Sequence, residues 1–259
     1  MKRFAITDWC QKRIRQMLAD NGSENDTGTG PCCLSRRLID ATAGTGKDTR
    51  FLCDLLEKSG GEILSMDIQE MALEKTKARL IRDGFKECPD AQRRLKSHGE
   101  YSKAGDDNTG NGNKRKKNPG EDGKEDNTER IAWALLQDES DRKQVELVLC
   151  GHEHMDEYFP AESVDLVMFN LGYLPGGDHN LATKPDTTLP ALKKALTLLK
   201  TGGLLSLMIY SGGDSGFEEK EQVLAWLKEL DPKRYMVLVE SFYNRPNNPP
   251  LPVFVQKLG

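Results

Sequence analysis

Long hydrophobic runs, paired cysteines and an excess of positive charge are all lacking in this sequence. No segment approaches the roughly 20 apolar residues of a membrane-spanning helix, so we expect no membrane association. The six cysteines include no Cys-x-x-Cys pair, which favours a reducing compartment. A net charge of −4 excludes a broad cationic coat for nucleic acid, although a local basic patch could still bind one structured RNA.

No signal peptide is recognisable at the N-terminus. Charged residues, including Lys2, Arg3, Asp8 and Lys12, interrupt the segment before an apolar run of signal-peptide length can form. Together with the cysteine usage, this predicts a cytoplasmic location.

Hydrophobic residues make up only 37% of the chain, and between Gly105 and Thr128 there are none at all. We interpret about 86–130 as a disordered low-complexity insert in a single domain that covers residues 1–259. The basic cluster Asn113–Lys117 is alternatively a nuclear-localisation or RNA-binding sequence, but acidic residues follow it closely. We expect a short helix over Glu129–Gln137 to attach the end of the insert to the domain, with Trp133 as its anchor.

Outside the insert, short β-type runs alternate with amphipathic stretches, which is typical of βαβ units. The predicted strands are Arg37–Thr42, Glu62–Asp67, Gln144–Cys150, Ser163–Asn170, Leu204–Tyr210, Tyr235–Tyr243 and Val253–Lys257. The predicted helices are Ala5–Leu18, Thr49–Lys58, Gln69–Arg82, Thr187–Leu199 and Glu218–Leu230. The pattern predicts a Rossmann-like α/β fold with a seven-stranded, mainly parallel sheet and helices on both faces.

The first strand runs through Leu38–Gly46 into a glycine turn and then a helix. Glycines let the backbone approach a ligand closely and leave helix N–H groups free to meet it. A Walker A loop is excluded, because Ala41 stands where it needs glycine and Asp48 where it needs serine or threonine. A dinucleotide site is disfavoured, because Thr49 replaces its third glycine. S-adenosylmethionine carries no phosphate and is the predicted cofactor.

Residues at the strand ends complete the predicted cofactor site. Asp67 lies 21 residues after Gly46, the spacing at which an acidic residue binds ribose hydroxyls; alternatively it caps the next helix. Asp40 could face the sulfonium or the amino group of the methionine moiety, and Cys150–Glu153 should border the adenine. No metal is expected, because adjacent residues such as His152 and Glu153 point to opposite faces of an extended segment. The predicted cofactor-binding residues are Asp40, Ala41, Thr42, Gly44, Gly46, Asp67, Ile68, Gln69, His152, Glu153 and Asn170.

The segment Asn170–His179 follows the fourth strand at the edge of the sheet where α/β proteins bind ligands. Its order of Asn, two residues and an aromatic resembles the (Asp/Asn)-Pro-Pro-(Tyr/Phe) motif of amino-group methyltransferases. In that motif the Asn oxygen accepts a hydrogen bond from the target amine and the ring stacks on the base. A plain Gly/Pro turn is the alternative. The predicted catalytic residues are Asn170, Tyr173, Asp178 and His179, with His179 as proton acceptor or paired with Asp178 to hold the loop.

Five blocks of the sequence together resemble the YtqB/MnmM family, formerly grouped with rRNA methylases. They are Asp40–Gly44, Asp67–Gln69, Asn170–His179, Thr183–Thr188 and Asn247–Pro250. The resemblance implies a class I methyltransferase fold, S-adenosylmethionine as cofactor and the anticodon region of tRNA as partner. It also implies N-methylation of the aminomethyl group of wobble 5-aminomethyl-2-thiouridine.

Two other functions stay open on the residues alone. One is a methyltransferase for another RNA base or a protein amide nitrogen, and the other is a non-catalytic S-adenosylmethionine-binding RNA-interaction protein. The presence of Asn170 and Tyr173 beside the Gly44 and Asp67 site favours catalysis. The oligomeric state is open, with a homodimer as one alternative.

Overall fold

The computed structural model describes residues 5–22, 36–88, 131–172, 182–210 and 214–259. These residues form a nine-stranded sheet with the strand order β3-β4-β5-β2-β1-β6-β7-β9-β8. The strands are β1 (Arg36–Asp40), β2 (Gly61–Asp67), β3 (Lys86–Glu87), β4 (Ile131–Gln137), β5 (Lys143–Leu149), β6 (Val164–Leu171), β7 (Leu199–Ile209), β8 (Tyr235–Val239) and β9 (Leu251–Lys257).

The five central strands, β5, β2, β1, β6 and β7, are parallel to one another. Both edges of the sheet continue with antiparallel pairs, β4 and β3 on one side and β9 and β8 on the other. The central strands are almost continuously apolar because both of their faces are covered. All seven predicted strands are present, and β3 and β4 are two further ones.

Within the described ranges, five α-helices and one 3₁₀ helix cover the two faces of the sheet. They are α1 (Ile6–Gly22), α2 (Lys47–Leu55), α3 (Glu70–Arg82), the 3₁₀ helix (His152–Glu157), α4 (Pro185–Leu198) and α5 (Asp214–Lys228). The first three α-helices bury apolar residues against one face, and the other three helices bury theirs against the opposite face. The predicted α/β architecture with helices on both faces is confirmed.

The prediction of a short helix over Glu129–Gln137 is wrong, because Ile131–Gln137 forms strand β4. This apolar run has no polar face, and a run this short does not distinguish a buried strand from a helix by periodicity. Trp133 does anchor the strand: its ring lies 5.2 Å from the Lys77 Nζ atom on α3. A β-bulge between Ala132 and Ala134 interrupts the regular register at this point.

Residues 89–130, most of the predicted insert, lie outside the described residues. The chain on either side of them forms an antiparallel pair, with Lys86 opposite Gln137. The Cys88 backbone N–H also donates to the Leu135 carbonyl oxygen at 2.8 Å. Residues 86–88 therefore belong to the sheet rather than to the insert.

Among the helices of the described ranges, none is both long and apolar enough to cross a membrane.

Candidate functional site

A cleft of about 1460 Å³ opens at the carboxyl ends of the central parallel strands. Typical small-molecule sites occupy roughly 300–1000 Å³, so the cleft has room for a cofactor and part of a second substrate. Its walls come from α1, from the turn between β1 and α2, and from the residues that follow β2, β5, β6 and β7. Loop residues Asn247 and Asn248, between β8 and β9, complete the rim.

The glycine turn forms one wall of the cleft, but its two glycines have different roles. Gly44 has a φ of 54° and lines the cleft. Gly46, with a φ of 72°, is buried at the start of α2, where a Cβ atom would lie 2.7 Å from the Thr76 Cα atom. Gly46 therefore permits close packing of α2 on α3, and unlike Gly44 it does not line the cleft.

Asp67, at the end of β2, lines the cleft and is held by backbone donors on both sides. Its two carboxylate oxygens accept hydrogen bonds from the N–H groups of Gly44 and Gln69, each at 2.9 Å. Burial raises the pKa of this carboxyl, and the backbone N–H donors counteract the effect. Asp67 thus joins the glycine turn to the start of α3, and because each oxygen can accept a second bond, it can still bind a ligand.

Asp40 is fully buried beneath the glycine turn and does not line the cleft. Its carboxylate accepts hydrogen bonds from the Thr49 hydroxyl at 2.6 Å and from the Thr42 N–H at 3.2 Å. Burial and the neighbouring charge of Asp48 raise the pKa of Asp40 to about 7. The prediction that Asp40 faces the cofactor is therefore corrected: this carboxyl supports the turn from below.

Asp48, in the first turn of α2, does line the cleft. One oxygen accepts a hydrogen bond from the Asn170 side-chain nitrogen at 2.5 Å, and the other accepts one from Gln11 on α1 at 3.3 Å. The Asn170 backbone N–H donates in turn to the Thr42 hydroxyl at 2.7 Å. Because a carboxylate only accepts, the Asn170 amide must turn its nitrogen to Asp48, which leaves its oxygen available.

Sequence reasoning missed Asp48 and Gln11. Asp48 carried a usable signal, since it is an acidic residue directly after the glycine turn, where α2 begins. Gln11 is an ordinary polar residue on α1 with no local pattern to mark it.

Three of the four predicted catalytic residues, Tyr173, Asp178 and His179, lie outside the described residues. The chain on either side of them is drawn together next to Asn170. The Gly172 N–H donates to the Thr183 hydroxyl at 2.8 Å, and the Thr183 N–H donates to the Gly172 carbonyl at 2.9 Å.

Glu219 on α5 holds this junction from the interior of the protein. Its two oxygens accept hydrogen bonds from the hydroxyls of Thr183 and Thr188, each at 2.7 Å. Glu219 is only 1% exposed, and this burial raises its pKa while the two threonine bonds lower it. The resemblance included Thr183 and Thr188 within one block, but it gave no sign of their buried partner.

His152 and Glu153, which follow β5, line the cleft, as do Ile68 and Gln69 beside Asp67. His152 is 8% exposed, and its ring packs edge-on against Phe169 with the centroids 5.5 Å apart. Burial lowers its pKa, so the imidazole is neutral near pH 7. Its Nε2 atom is buried and has no hydrogen-bond partner among the described residues.

No group of three or more His, Cys, Asp or Glu side chains suited to a metal ion occurs in the part of the chain that the structure describes. The described residues that were predicted to bind the cofactor otherwise lie together: Ala41, Thr42, Gly44, Asp67, Ile68, Gln69, His152, Glu153 and Asn170 all line the cleft.

The chain is similar to proteins of one family over most of its length. It is 31% identical over 228 residues to the Arabidopsis thaliana protein named tRNA (mnm(5)s(2)U34)-methyltransferase, chloroplastic. The aligned part is 85% of this chain, and the chain spans 62% of the length of that relative.

Two solved structures resemble the whole architecture. A Clostridium thermocellum rRNA-methylase candidate is 30% identical, with both chains fully covered and a TM-score of 0.64. A Streptococcus mutans methyltransferase candidate, crystallised in complex with SAH, is 29% identical, with 86% of this chain and 89% of that one covered and a TM-score of 0.57.

A family model also matches residues 127–256, half of the chain, and its description is "Putative rRNA methylase". The match includes the Asn170 segment and every strand from β4 to β8. The resemblance that the sequence motifs indicated is thereby confirmed, and the chain belongs to this rRNA methylase family of class I methyltransferases.

Proposed function

We propose that this protein transfers the methyl group of S-adenosylmethionine to the aminomethyl nitrogen of wobble 5-aminomethyl-2-thiouridine in tRNA. One observation carries the proposal: Asp48 holds the Asn170 amide so that its oxygen is left to accept a hydrogen bond from an amine. That amide lies in the same cleft as the Gly44 and Asp67 turn.

The cleft fits S-adenosylmethionine in three respects. Asp67 offers a carboxylate fixed by two backbone N–H groups, which suits the hydroxyls of a ribose. Next to it, Ile68 is 56% exposed and provides an apolar surface for a flat ring. His152, which follows β5, the strand next to β2, also lines the cleft, so its ring lies where it can border the adenine.

When bound, S-adenosylmethionine supplies an activated methyl group on a positively charged sulfonium. The protein must then bring a neutral amine to that site. An alkyl ammonium has no lone pair, and with a reference pKa near 10.4 it is mostly protonated in water. Removal of the amine from water lowers this pKa, because a second positive charge in the cleft is poorly solvated.

Asn170 orients the amine without adding a charge of its own. An amide oxygen accepts the N–H bond, and the nitrogen lone pair can then be directed away from Asn170. The charge of Asp48 lies one hydrogen bond further away, and both of its oxygens already accept bonds, from Asn170 and Gln11. In this proposal Asp48 positions Asn170, Tyr173 stacks on the base, and His179 accepts the proton or is fixed by Asp178.

The family supports an RNA substrate, and the name of the Arabidopsis relative supports the wobble uridine of tRNA. That relative is described as chloroplastic, whereas the cysteine usage of this sequence indicates a cytoplasmic location. The cytoplasm is accordingly part of the proposal, and fractionation of cells that express a tagged full-length protein tests it.

Turnover with defined tRNA tests the proposed reaction. Purified protein is incubated with S-adenosylmethionine and tRNA from a strain that lacks the terminal methyl group, and the nucleosides are separated by mass spectrometry. We expect the aminomethyl nucleoside to gain one methyl group. Methylation of another nucleoside, or of protein only, would replace the proposed substrate, and absence of any transfer would contradict the enzymatic function.

A further inference from the structure

The loop between β8 and β9, residues 240–250, carries an aromatic side chain that no part of the described structure covers. Tyr243 is 102% exposed, more than any other large hydrophobic side chain of the described residues. A single exposed ring is common on protein surfaces and does not by itself mark a binding site. This ring, however, lies on a loop that is fixed at one end and reaches the cleft at the other.

The base of the loop is fixed on α1. The Phe242 ring packs against Trp9 with the centroids 5.5 Å apart and the planes at 87°. Arg13 on the same helix forms an ion pair with Glu240 across 3.2 Å. The neighbouring residue Tyr243 is thus presented outward from an anchored turn, which reduces the entropy lost when its ring binds a partner.

The other end of the loop reaches the cleft. Asn247 and Asn248 both line it, both are exposed, and both have left-handed backbone angles, with φ values of 64° and 45°. Such angles are unfavourable for residues other than glycine and occur preferentially at ligand-binding sites. Asparagine tolerates them better than most residues, and its amide offers both donors and an acceptor.

We infer that loop 240–250 is an RNA-binding element in which Tyr243 stacks on a nucleobase next to the target nucleotide while Asn247 and Asn248 bind base edges in the cleft. The inference rests on the proposed function in so far as the substrate is RNA. Proteins recognise single-stranded RNA by stacking its bases on aromatic rings and by hydrogen bonds to the exposed base edges.

The charge distribution agrees with contacts of this kind. A net charge of −4 gives the protein little overall attraction for a polyanion, and therefore little non-specific affinity for RNA. Lys47, an exposed residue on the wall of the cleft, provides a local cation for the phosphate next to the target nucleotide. Stacking on Tyr243 would then contribute a large share of the RNA affinity.

Fluorescence anisotropy with labelled, undermodified tRNA and a labelled single-stranded RNA tests the inference without any turnover. We expect Tyr243→Ala to weaken binding of both by roughly tenfold or more, because removal of a stacked aromatic side chain has effects of this size. Tyr243→Phe, which keeps the ring, should bind almost as the unmodified protein does. Asn247→Gly with Asn248→Gly keeps the left-handed backbone but removes both amides, and should weaken binding of the tRNA.

Calorimetry with S-adenosylmethionine serves as the control, and all variants should keep their cofactor affinity. Equal RNA affinity of Tyr243→Ala and the unmodified protein would overturn the inference, as would an equal loss in Tyr243→Phe. If the unmodified protein methylates tRNA while Tyr243→Ala binds it normally, the inference fails and the proposed function stands. If the unmodified protein binds neither RNA, the inference is overturned, and the turnover assay decides the proposed function separately.

Discussion

The side-chain nitrogen of Asn170 donates a hydrogen bond to the carboxylate of Asp48 across 2.5 Å, although 122 positions separate the two residues in the sequence. This bond joins the end of β6 to the start of α2 at the floor of the cleft. It sets which end of the amide meets a substrate.

Replacement of Asn170 by alanine should remove most methyl transfer and leave the affinity for S-adenosylmethionine nearly unchanged. Misplacement of the reacting amine can cost about a hundredfold in rate. Single-turnover kinetics together with calorimetry measures the two effects separately. A fully active Asn170→Ala enzyme would contradict the proposed site, and a large loss of cofactor affinity would reassign Asn170 to cofactor binding.

Asp48→Ala and Asp48→Asn should differ in activity. The alanine variant releases the Asn170 amide, so we expect kcat to fall by about tenfold to a hundredfold. Asparagine can still accept the bond from Asn170, and it removes a negative charge that favours the ammonium form of the substrate. Its kcat should be much closer to that of the unmodified enzyme, with a pH–rate profile shifted to lower pH. If both variants lose cofactor affinity instead, Asp48 binds the cofactor rather than positioning Asn170.

Asp67→Ala should weaken S-adenosylmethionine binding by about tenfold or more, because a charge-assisted hydrogen bond contributes roughly 1.5–3 kcal/mol. Calorimetry measures the affinity. The same change removes the acceptor for the Gly44 and Gln69 N–H groups, so the melting temperature must be recorded alongside. Unchanged affinity with a lower melting temperature would reduce Asp67 to a purely structural link between the turn and α3.

A short Gly/Ser linker in place of Lys103–Thr128 should leave folding and cofactor binding intact. Apart from Ala104 the segment contains no hydrophobic residue, and the strands on either side already meet as an antiparallel pair. Thermal unfolding and calorimetry check both properties. A melting temperature lower by many degrees would show that the segment packs on the domain, contrary to its composition.

Glu146 on β5 should make the protein less stable as the pH rises. Burial and the charge of Glu62 raise the pKa of this carboxyl from 4.5 to about 7, and one of its oxygens is buried without a partner among the described residues. The folded state therefore binds a proton that the unfolded state releases between these two values. The protonated carboxyl therefore contributes up to about 3 kcal/mol to the free energy of unfolding. This contribution is fully present below about pH 4.5 and is lost as the pH rises through about 7.

Urea unfolding at pH 5 and pH 8 measures this effect. In Glu146→Gln, the free energy of unfolding should differ less between the two pH values, by most of that amount. Asp40, with its own pKa of about 7, still contributes its share of the pH dependence. The exposed Glu229→Gln is the matched control and should change nothing. An unaltered difference in Glu146→Gln would show that this carboxyl is ionised in the folded protein.

The sequence predicted those parts of the molecule that depend on neighbours along the chain. The strands, the glycine turn and the position of Asp67 each follow from a local pattern of burial or spacing. The bond between Asp48 and Asn170 has no local pattern, because only the packing of α2 beside β6 brings the two together. The burial of Asp40 likewise depends on a hydroxyl contributed by α2, that of Thr49.

The strand β4 shows a different limit. Its seven residues are apolar enough for either a buried helix or a buried strand, and pairing with β5 decides between them. No property of Ile131–Gln137 taken alone carries that information.

Glu219 affects how sequence variation in this protein should be interpreted. It lines no part of the cleft, yet its two oxygens bind Thr183 and Thr188, and Thr183 binds the residue two positions after Asn170. A ranking of natural variants by their distance from the cleft would therefore class a change at Glu219 as a stability variant. Because its loss releases the chain next to Asn170, the same change should instead behave genetically like a defect in the reaction itself, in a protein that is still present at normal levels.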